Sequence, residues 1–207
     1  MLHDDLWRRN TDLARACLAH PFVRGLADGT LDRGAFKCYI AQDAFFLRAF
    51  LRAYALAAAK CEQVDQVRSF HRLMGGILDE LILHGSYAAE WGVDLSNVQA
   101  LAATKAYTDF LLRTAWHHGV DESTAAMVPC MRLYAFLGTE LADDQRSDHP
   151  YADWIKAYCG EEFQALAAEL ESILDSVADD TPRVRDAYRY AVRCELDFFS
   201  APLEKSE

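Results

Sequence analysis

Apolar residues recur every three to four positions along most of the chain, with polar residues between them. This spacing, together with abundant alanine and leucine, is typical of amphipathic helices, and no run alternates as a half-buried strand would. The predicted helices run over about residues 4–19, 33–60, 64–91, 96–118, 122–142, 151–178 and 182–200. The pattern therefore predicts an all-α fold of about seven or more helices.

Local signals mark where several of these helices begin and end. Asp32 and Thr181 have the short polar side chains that suit the residue before a first helical turn. Gly92 is a typical residue just past a helix C-terminus. The pair Gly75–Gly76 and Gly160 are possible breaks inside two long helical patterns.

The connections between the predicted helices are short, and the chain contains no linker, low-complexity segment or internal repeat. We expect loops at "VRGLADGTLDRGAF" (residues 23–36) and at "DDQRSDHP" (143–150), and a frayed tail from about residue 201. Residues 1–207 are long enough to bury one sizeable core, so they are predicted to form a single-domain helical bundle. Ligand sites of such bundles lie in the core, between facing helices.

Charge and composition narrow the classes of function. The net charge of −11 repels phosphate backbones and anionic lipids, so nucleic acid is not expected as a main partner. The N-terminal segment lacks the apolar core of a signal peptide, and no apolar run reaches the ~18 residues that a membrane span needs. The six cysteines form no CxxC pair, so we expect free thiols and a cytoplasmic protein.

Asp43 lies in "AQDAFF", where it shares a helix face with Phe46. A carboxylate is almost never fully buried without a partner, so this placement indicates a polar site in the core. An exposed Asp43 that pairs with Arg48 or Lys37 explains the pattern equally well. The sequence pattern leaves both interpretations open.

Glu195 lies in "CELDFF" on the last predicted helix, where it shares a face with Phe198. It could also be a surface glutamate that pairs with Arg193 or with a neighbouring subunit. Taken alone, the pattern around Glu195 favours the surface interpretation.

Glu80 and His84 are four residues apart and therefore share a helix face. Such a pair can bind a metal ion, or it can form a structural hydrogen bond in which the carboxylate orients the imidazole. Di-iron bundles need a second carboxylate–histidine set, and the last predicted helix contains no histidine. The structural interpretation is therefore favoured over a metal site.

Cys130 follows a proline in "MVPCMRLYAFLG" and shares a helix face with Tyr134. It could be a packing residue, a metal ligand or a nucleophile, and packing is the commonest role of a free cysteine. Tyr107 and Tyr158 also lie in helical surroundings, where a tyrosine usually packs in the core with its hydroxyl at the rim. None of these residues indicates a site by itself.

The order of these segments resembles the TenA family, also called thiaminase II. The resemblance covers about residues 20–200 and is carried by "HPFVRGLADGTLDRGAFKCYIAQDAFFL", "ELILHGSYAAEWGV", "AYTDFLL", "MVPCMRLYAFLG", "HPYADWIKAYCGEEF" and "CELDFF". Each motif is weak alone, but their shared order and spacing are specific. The resemblance implies a heme-oxygenase-like bundle, usually a homotetramer, that requires no metal, heme or other cofactor.

The resemblance also implies an activity, the hydrolysis of aminopyrimidines or thiamin in thiamin salvage, which releases 4-amino-5-hydroxymethyl-2-methylpyrimidine. Carried over by motif, Cys130 would be the nucleophile, Glu195 the acid/base, and Asp43 would hold the pyrimidine. The implied pocket-lining residues are Phe46, Tyr107, Tyr134 and Tyr158. Phe46 departs from the family pattern, in which characterised members often have a tyrosine in a motif like Q-D-x-Y-Y.

The implied chemistry needs a thiolate, which adds to a ring carbon so that the leaving group can depart. Cys130 is expected near the start of its helix, where the N-terminal partial charge would favour the thiolate. Glu195, among Phe198 and Phe199, is expected to have a raised pKa, so that it can both donate and accept protons.

Two other functions remain open at this stage. The first is a heme or di-metal oxidase on the same fold, for which the Glu80–His84 pair is the best support. The second is a regulatory bundle that binds an aminopyrimidine without catalysing its hydrolysis. Phe46, which departs from the family pattern, is the residue that suggests this function.

Overall fold

The computed structural model describes residues 1–142 and 149–204, apart from the side chain of Leu83. All of its regular elements in those ranges are helices, which confirms the predicted all-α class. The described helices are α1 (Leu2–Arg9), α2 (Thr11–Leu18), α3 (Pro21–Asp28), α4 (Arg33–Ala58), α5 (Val64–Trp91), α6 (Ala102–His117), α7 (Val120–Ala142), α8 (Ala152–Cys159), α9 (Glu161–Val177) and α10 (Pro182–Glu204).

Helix α7 is the centre of the bundle. It packs against α4, α6, α8, α9 and α10, and α4 lies between α5 and α6. Because neighbours surround α7, its buried residues extend around the helix instead of forming one stripe. The side chains that α4, α5, α7, α8 and α10 turn inward therefore face a common interior.

The predicted capping signals are confirmed. The Asp32 carboxylate accepts a hydrogen bond from the Ala35 N–H at 2.9 Å, and the Thr181 hydroxyl accepts one from the Val184 N–H at 3.2 Å. Gly92 ends α5 with a φ of 66°, a left-handed conformation that glycine adopts without steric cost.

The N-terminal segment departs from the prediction in two places. The first predicted helix is split at Asn10, whose side chain donates a hydrogen bond to the Leu6 carbonyl at 2.8 Å. Asparagine side chains compete with the helical backbone in this way. The expected loop over residues 23–36 contains most of α3 instead, which begins at Pro21 behind the capping residue His20.

The interior glycines behave differently from one another. Helix α5 continues through Gly75–Gly76 without a break, and Gly76 lets α9 approach closely, because a Cβ there would lie 2.6 Å from Leu166 Cδ1. The break at Gly160 is confirmed, since its extended backbone separates α8 from α9. Helix α6 begins at Ala102, later than predicted.

The C-terminal helix α10 continues to Glu204, so residues 201–204 of the expected tail are helical. Residues 205–207 of that tail, and residues 143–148 of the expected loop, lie outside the described part of the chain. Among the described helices, none is both long and apolar enough to cross a membrane.

Candidate active site

Asp43 lies on the buried face of α4, where it meets His84 of α5. Its Oδ2 atom is 2.6 Å from His84 Nε2, and the two residues are 4% and 6% exposed. The exposed interpretation of Asp43, with Arg48 or Lys37 as its partner, is therefore wrong. A buried carboxylate is tolerated here because it has a charged, hydrogen-bonded partner.

Both ring nitrogens of His84 are hydrogen-bonded. Nδ1 is 3.0 Å from the backbone carbonyl of Glu80, one helical turn earlier. The carboxylate that orients the imidazole is thus that of Asp43, and the expected side-chain bond from Glu80 is not formed. Burial alone would lower the pKa of His84, but Asp43 outweighs burial and raises it to about 9. His84 is therefore an imidazolium at neutral pH, and both of its N–H groups donate.

The Glu80 carboxylate accepts a hydrogen bond from the Tyr158 hydroxyl at 3.0 Å. Burial, followed by the negative charge of Asp43, raises the pKa of Glu80 to about 7, against the opposing effects of His84 and Tyr158. One ligand atom from each of Asp43, Glu80 and His84 lies within 4.8 Å of the others, so the three could hold a metal ion. His84 would first have to lose the proton that it shares with Asp43.

Glu195 is 1% exposed on α10, so the surface interpretation with Arg193 is wrong. The Tyr107 hydroxyl of α6 donates a hydrogen bond to its Oε1 atom at 2.7 Å. Burial raises the pKa of Glu195 to about 8, against the opposing effect of the hydrogen bond from Tyr107. A carboxyl group with this pKa can accept and donate protons near neutral pH.

Cys130 lies close enough to Glu195 for the two groups to shift each other's pKa, and the cysteine is partly exposed. Because α7 begins at Val120, the cysteine lies roughly three turns into the helix. The expectation that the helix N-terminus stabilises its thiolate is therefore wrong, since that effect fades within the first turn. Burial, followed by the charge of Glu195, raises the pKa of the thiol well above its ordinary value.

The resting state that these contacts favour is a neutral thiol beside a carboxyl group. Pro129, directly before the cysteine, is an interior helix residue and leaves the Ala125 carbonyl without its i+4 amide partner. Glu195 of α10, and not the N-terminus of α7, is therefore the group placed to accept a proton from this thiol.

Aromatic rings surround these polar groups. Phe46 packs with Tyr107 at a centroid distance of 4.9 Å and with Phe198 at 5.8 Å. Tyr134 packs edge-on against Tyr158 at 4.8 Å. Of the four aromatic residues that the resemblance implied, Phe46, Tyr134 and Tyr158 line the same pocket as Cys130 and Asp43, whereas Tyr107 lies behind Phe46 and contacts Glu195.

Two residues of the site differ from the sequence prediction, because Tyr39 was not predicted and His84 has another partner than predicted. Tyr39 donates a hydrogen bond to the Tyr134 hydroxyl at 3.3 Å and accepts one from Trp154 Nε1 at 3.1 Å. Tyr39 lies four residues before Asp43 on the same helix face, and this spacing is the sequence feature that indicates its place in the site. The sequence pattern paired His84 with Glu80, whereas in the structure its side-chain partner is Asp43.

Two connected spaces lie along this cluster. The inner pocket has a volume of about 10 Å³ and is lined by Asp43, Phe46, Cys130, Tyr134 and Tyr158 among others. It borders an outer cavity of about 380 Å³, and the two share Ile77, Glu80, Met131, Tyr158 and Phe163. The inner pocket admits a ring only if side chains move, and the outer cavity is the way in from solvent.

Comparison with known proteins places the chain in a family. The sequence profile of the TENA/THI-4/PQQC family matches residues 7–205. The Arabidopsis thaliana protein named bifunctional TH2 protein, mitochondrial, is 35% identical over 87% of this chain, which spans only 34% of that longer protein. An aminopyrimidine aminohydrolase from Halalkalibacterium halodurans is 33% identical over 84% of this chain and 80% of its own.

Solved structures agree on the fold. The crystal structure of a TenA family transcription regulator from a Silicibacter species superposes with a TM-score of 0.92 at 28% identity, covering 97% of this chain and 95% of that one. A domain of unknown function with a heme oxygenase-like fold from Shewanella denitrificans superposes with a TM-score of 0.79 at 12% identity, covering 98% and 92%. The predicted heme-oxygenase-like bundle is confirmed.

Proposed function

Because the chain belongs to the TENA/THI-4/PQQC family, we propose that it is an aminopyrimidine aminohydrolase of the thiaminase II type, acting in thiamin salvage. Its substrate is 4-amino-5-aminomethyl-2-methylpyrimidine, with thiamin as a second candidate. One observation carries the proposal. The thiol of Cys130 lies close enough to the buried carboxyl of Glu195 for each group to shift the pKa of the other, and Asp43 lines the same pocket as the thiol.

Binding of the pyrimidine uses the inner pocket. The amidine-like edge of the ring combines a donor, the exocyclic amine, with an acceptor, the ring nitrogen, so a carboxyl group that accepts from the amine and shares a proton with the ring nitrogen binds it in a bidentate arrangement. Asp43 supplies that carboxylate, and His84 holds it in place from α5. Phe46 and Tyr134 supply apolar faces for the flat ring.

The first chemical step is addition of the thiol to the ring. Glu195 accepts the proton from Cys130, and the sulfur forms a bond to the ring carbon next to the substituted one. The electron pair of the adjacent carbon–nitrogen double bond moves onto the ring nitrogen, which takes the proton from Glu195. The ring is no longer aromatic, and the sulfur is covalently attached.

Departure of the leaving group follows. The lone pair of the ring amino group moves into the ring, and the aminomethyl nitrogen, bound as an ammonium group, departs as ammonia with its bonding electrons, which leaves an exocyclic methylene. Water adds to that methylene while Glu195 accepts its proton, and the electron pair returns to the ring amino group. The ring nitrogen then gives its proton to the released ammonia, the carbon–sulfur bond breaks, and the sulfur recovers a proton from Glu195, which regenerates the starting pair.

Release of ammonia and of the hydroxymethyl product from 4-amino-5-aminomethyl-2-methylpyrimidine tests this proposal. We expect turnover by the wild type and a rate lower by roughly a thousandfold in Cys130→Ser. Cys159→Ser is the matched control, because Cys159 is a free cysteine that lines neither space. If the wild type binds the compound but releases no product, the hydrolase proposal is wrong and a pyrimidine-binding regulator is favoured.

A metal-dependent oxidase is the second candidate, because Asp43, Glu80 and His84 could hold an ion. The contact between Asp43 and a protonated His84 argues against it, since a ligating imidazole must be neutral. Metal analysis of the purified protein, with activity assays before and after chelation, separates the two. Stoichiometric metal and loss of activity with chelator would favour the oxidase.

We further propose that the protein is a homotetramer. Helix α5 carries the exposed apolar residues Val64, Val67, Leu78 and Ile82, and Ile82 is 71% exposed. Exposed apolar patches of this kind often mark interaction surfaces. Light scattering after size-exclusion chromatography is expected to give four times the chain mass of 23.3 kDa. A monomer at all concentrations would contradict the proposal.

The location that we propose is the cytoplasm, with no nucleic acid or membrane partner. The described cysteines are all free, and the proposed nucleophile must stay reduced. The net charge of −11 disfavours polyanions. Fractionation of cells that express the tagged protein tests the location, and its recovery with membranes would contradict it.

A further inference from the structure

Two carboxylates converge on one nitrogen of the His84 ring. His84 Nε2 lies 2.6 Å from Asp43 Oδ2, and one ligand atom from each of Asp43, Glu80 and His84 lies within 4.8 Å of the others. Burial, followed by the negative charge of Asp43, raises the pKa of Glu80, so the two carboxylates repel each other. A cation bound between the three groups would relieve this repulsion.

The other ring nitrogen of His84 is held by the backbone. Nδ1 lies 3.0 Å from the Glu80 carbonyl, which can only accept, so this nitrogen keeps its proton. Metal-bound histidines usually make a contact of this kind, because it orients the ring and fixes the tautomer. His84 is therefore arranged to bind an ion through Nε2, on the side where the two carboxylates lie.

A second histidine that contacts two carboxylates lacks this arrangement. His3 Nδ1 lies 2.6 Å from Asp175 Oδ2, and His3 Nε2 lies 3.3 Å from Asp4 Oδ1. The two carboxylates are thus on different nitrogens of the ring, and one ion cannot bind to both nitrogens. His3 is therefore a suitable comparison residue for His84.

The outer cavity gives an ion access to the cluster. It measures about 380 Å³, and both Glu80 and His84 line it. The other charged residues of its lining, within the described ranges, are Asp79, Glu161 and Glu162. The electrostatic potential of the cavity is therefore negative and attracts a hydrated cation.

We propose that Asp43, Glu80 and His84 form an inhibitory site for a divalent transition-metal ion of the zinc type. Zinc accepts imidazole nitrogen and carboxylate oxygen as ligands, and three protein ligands leave its fourth position to water. The ion engages the carboxylate of Asp43, so it excludes a pyrimidine from that carboxylate. The inhibition rests on the proposed function, whereas the binding of metal does not.

Ligation of the ion requires His84 to release the proton that it shares with Asp43. Because the pKa of His84 is raised to about 9, loss of that proton weakens metal binding roughly a hundredfold at pH 7. The proton passes to solvent, and the ion replaces it as the positive charge beside Asp43. The site therefore binds an added ion reversibly and does not retain a resident cofactor.

Calorimetric titration with zinc chloride tests the site in a Cys130→Ser background, which removes the thiol as a competing zinc ligand. We expect one ion per chain, with a dissociation constant on the order of micromolar. Glu80→Gln keeps the contact between Asp43 and His84 and should weaken binding at least about tenfold, and His84→Gln should weaken it further.

The matched control for these variants is His3→Gln, which should leave the zinc affinity unchanged. Absence of zinc binding by the folded Cys130→Ser protein would overturn the proposal. Unchanged affinity in both Glu80→Gln and His84→Gln would also overturn it, because the ion would then bind elsewhere.

Steady-state kinetics of the wild type test the inhibition. Zinc should raise the Michaelis constant for 4-amino-5-aminomethyl-2-methylpyrimidine without changing the turnover number, and a chelator should reverse the effect. A lower turnover number at saturating substrate would contradict the proposal and indicate zinc on the thiol of Cys130. Zinc binding by a protein that releases no ammonia would keep the metal site and refute the hydrolase. Ammonia release that zinc leaves unchanged would refute the inhibition and keep the hydrolase.

Discussion

The carboxylate of Asp43 and the imidazole of His84 meet at 2.6 Å in the core, although they are 41 residues apart in the chain. The contact joins α4 to α5 and places an ion pair beside the inner pocket. Burial of two charges is costly, so each depends on the other. The pair is therefore both a structural link and the group that positions a carboxylate toward the pyrimidine.

Replacement of His84 by glutamine should destabilise the protein. Asp43 would be left with a neutral partner, and removal of one member of a buried pair costs about 3 kcal/mol. The Michaelis constant should rise more than the turnover number falls, because His84 positions Asp43 and does not touch the reacting atoms. Urea unfolding and steady-state kinetics measure both effects.

His71→Gln is the matched control for this prediction, since His71 is an exposed histidine on the same helix. Equal stability of His84→Gln and the wild type would show that the Asp43–His84 contact contributes little to folding.

Activity should rise with pH between about pH 6 and 8. Burial raises the pKa of Glu195 to about 8, so below that pH its carboxyl is mostly protonated and cannot accept the thiol proton. In a plot of log kcat/KM against pH, the limiting slope on the acid side is expected to be one. The Glu195→Gln variant should lose this rise with pH together with most of the activity. A flat profile in the wild type would mean that Glu195 is not the base.

Stability should change with pH in the opposite direction. A carboxyl group whose folded pKa is raised loses stabilisation as pH increases from its ordinary value through the folded one, here from 4.5 to about 8. His84, whose pKa is raised to about 9, likewise loses its stabilisation as pH rises through that value. Glu195 alone is thus expected to lower wild-type stability by about 4 kcal/mol between pH 5 and 9, and His84 adds to that fall.

The difference between the wild type and Glu195→Gln isolates the contribution of that residue, because all other titrating groups are common to both. The urea concentrations at the unfolding midpoint are measured for both proteins at pH 5, 7 and 9. At high pH the midpoint of the wild type should approach that of Glu195→Gln or fall below it. A difference that does not depend on pH would contradict the raised pKa.

The ring of Phe46 should contribute to pyrimidine affinity. It packs against Tyr107 and lines the inner pocket, so Phe46→Leu keeps apolar volume but removes the flat face. We expect the Michaelis constant to rise about fivefold, in line with the worth of one aromatic pair. The control Phe110→Leu removes a ring contact with Tyr190 away from the pocket and should leave the Michaelis constant unchanged.

Two interior glycines should respond oppositely to alanine. A Cβ on Gly138 would lie 2.5 Å from the backbone carbon of Tyr158, which cannot move without shifting α8. Gly138→Ala should therefore destabilise by more than about 2 kcal/mol and impair activity through Tyr158. A Cβ on Gly85 meets nothing within 4 Å, so Gly85→Ala should stabilise by about 1 kcal/mol. Thermal melts of the two variants compare them directly.

The prediction of helices worked where local signals decide structure. The α5 bounds and the caps at Asp32 and Thr181 follow from periodicity and from short-range hydrogen bonds. The first predicted helix failed at Asn10, where a side chain competes with the backbone. Gly75–Gly76 was a plausible break by propensity, but α5 continues through it where α9 packs closely against Gly76.

The chemistry of the site was only partly accessible from sequence. The resemblance named Cys130, Glu195 and Asp43, and the structure brings them together, while their roles stay predictions. The resemblance was silent on Tyr39 and on the outer cavity, whose walls come from α4, α5, α8 and α9. Adjacency of this kind depends on how helices pack, which the order of residues along one helix does not specify.

The sequence by itself determined that this protein is an all-α bundle, because helical periodicity and capping depend on residues within a turn or two of each other. Only the tertiary structure decided that Asp43 pairs with His84 and that Cys130 lies beside Glu195 and away from a helix terminus. Burial and the charges of distant residues set the pKa values of buried groups, and both exist only once the helices have packed.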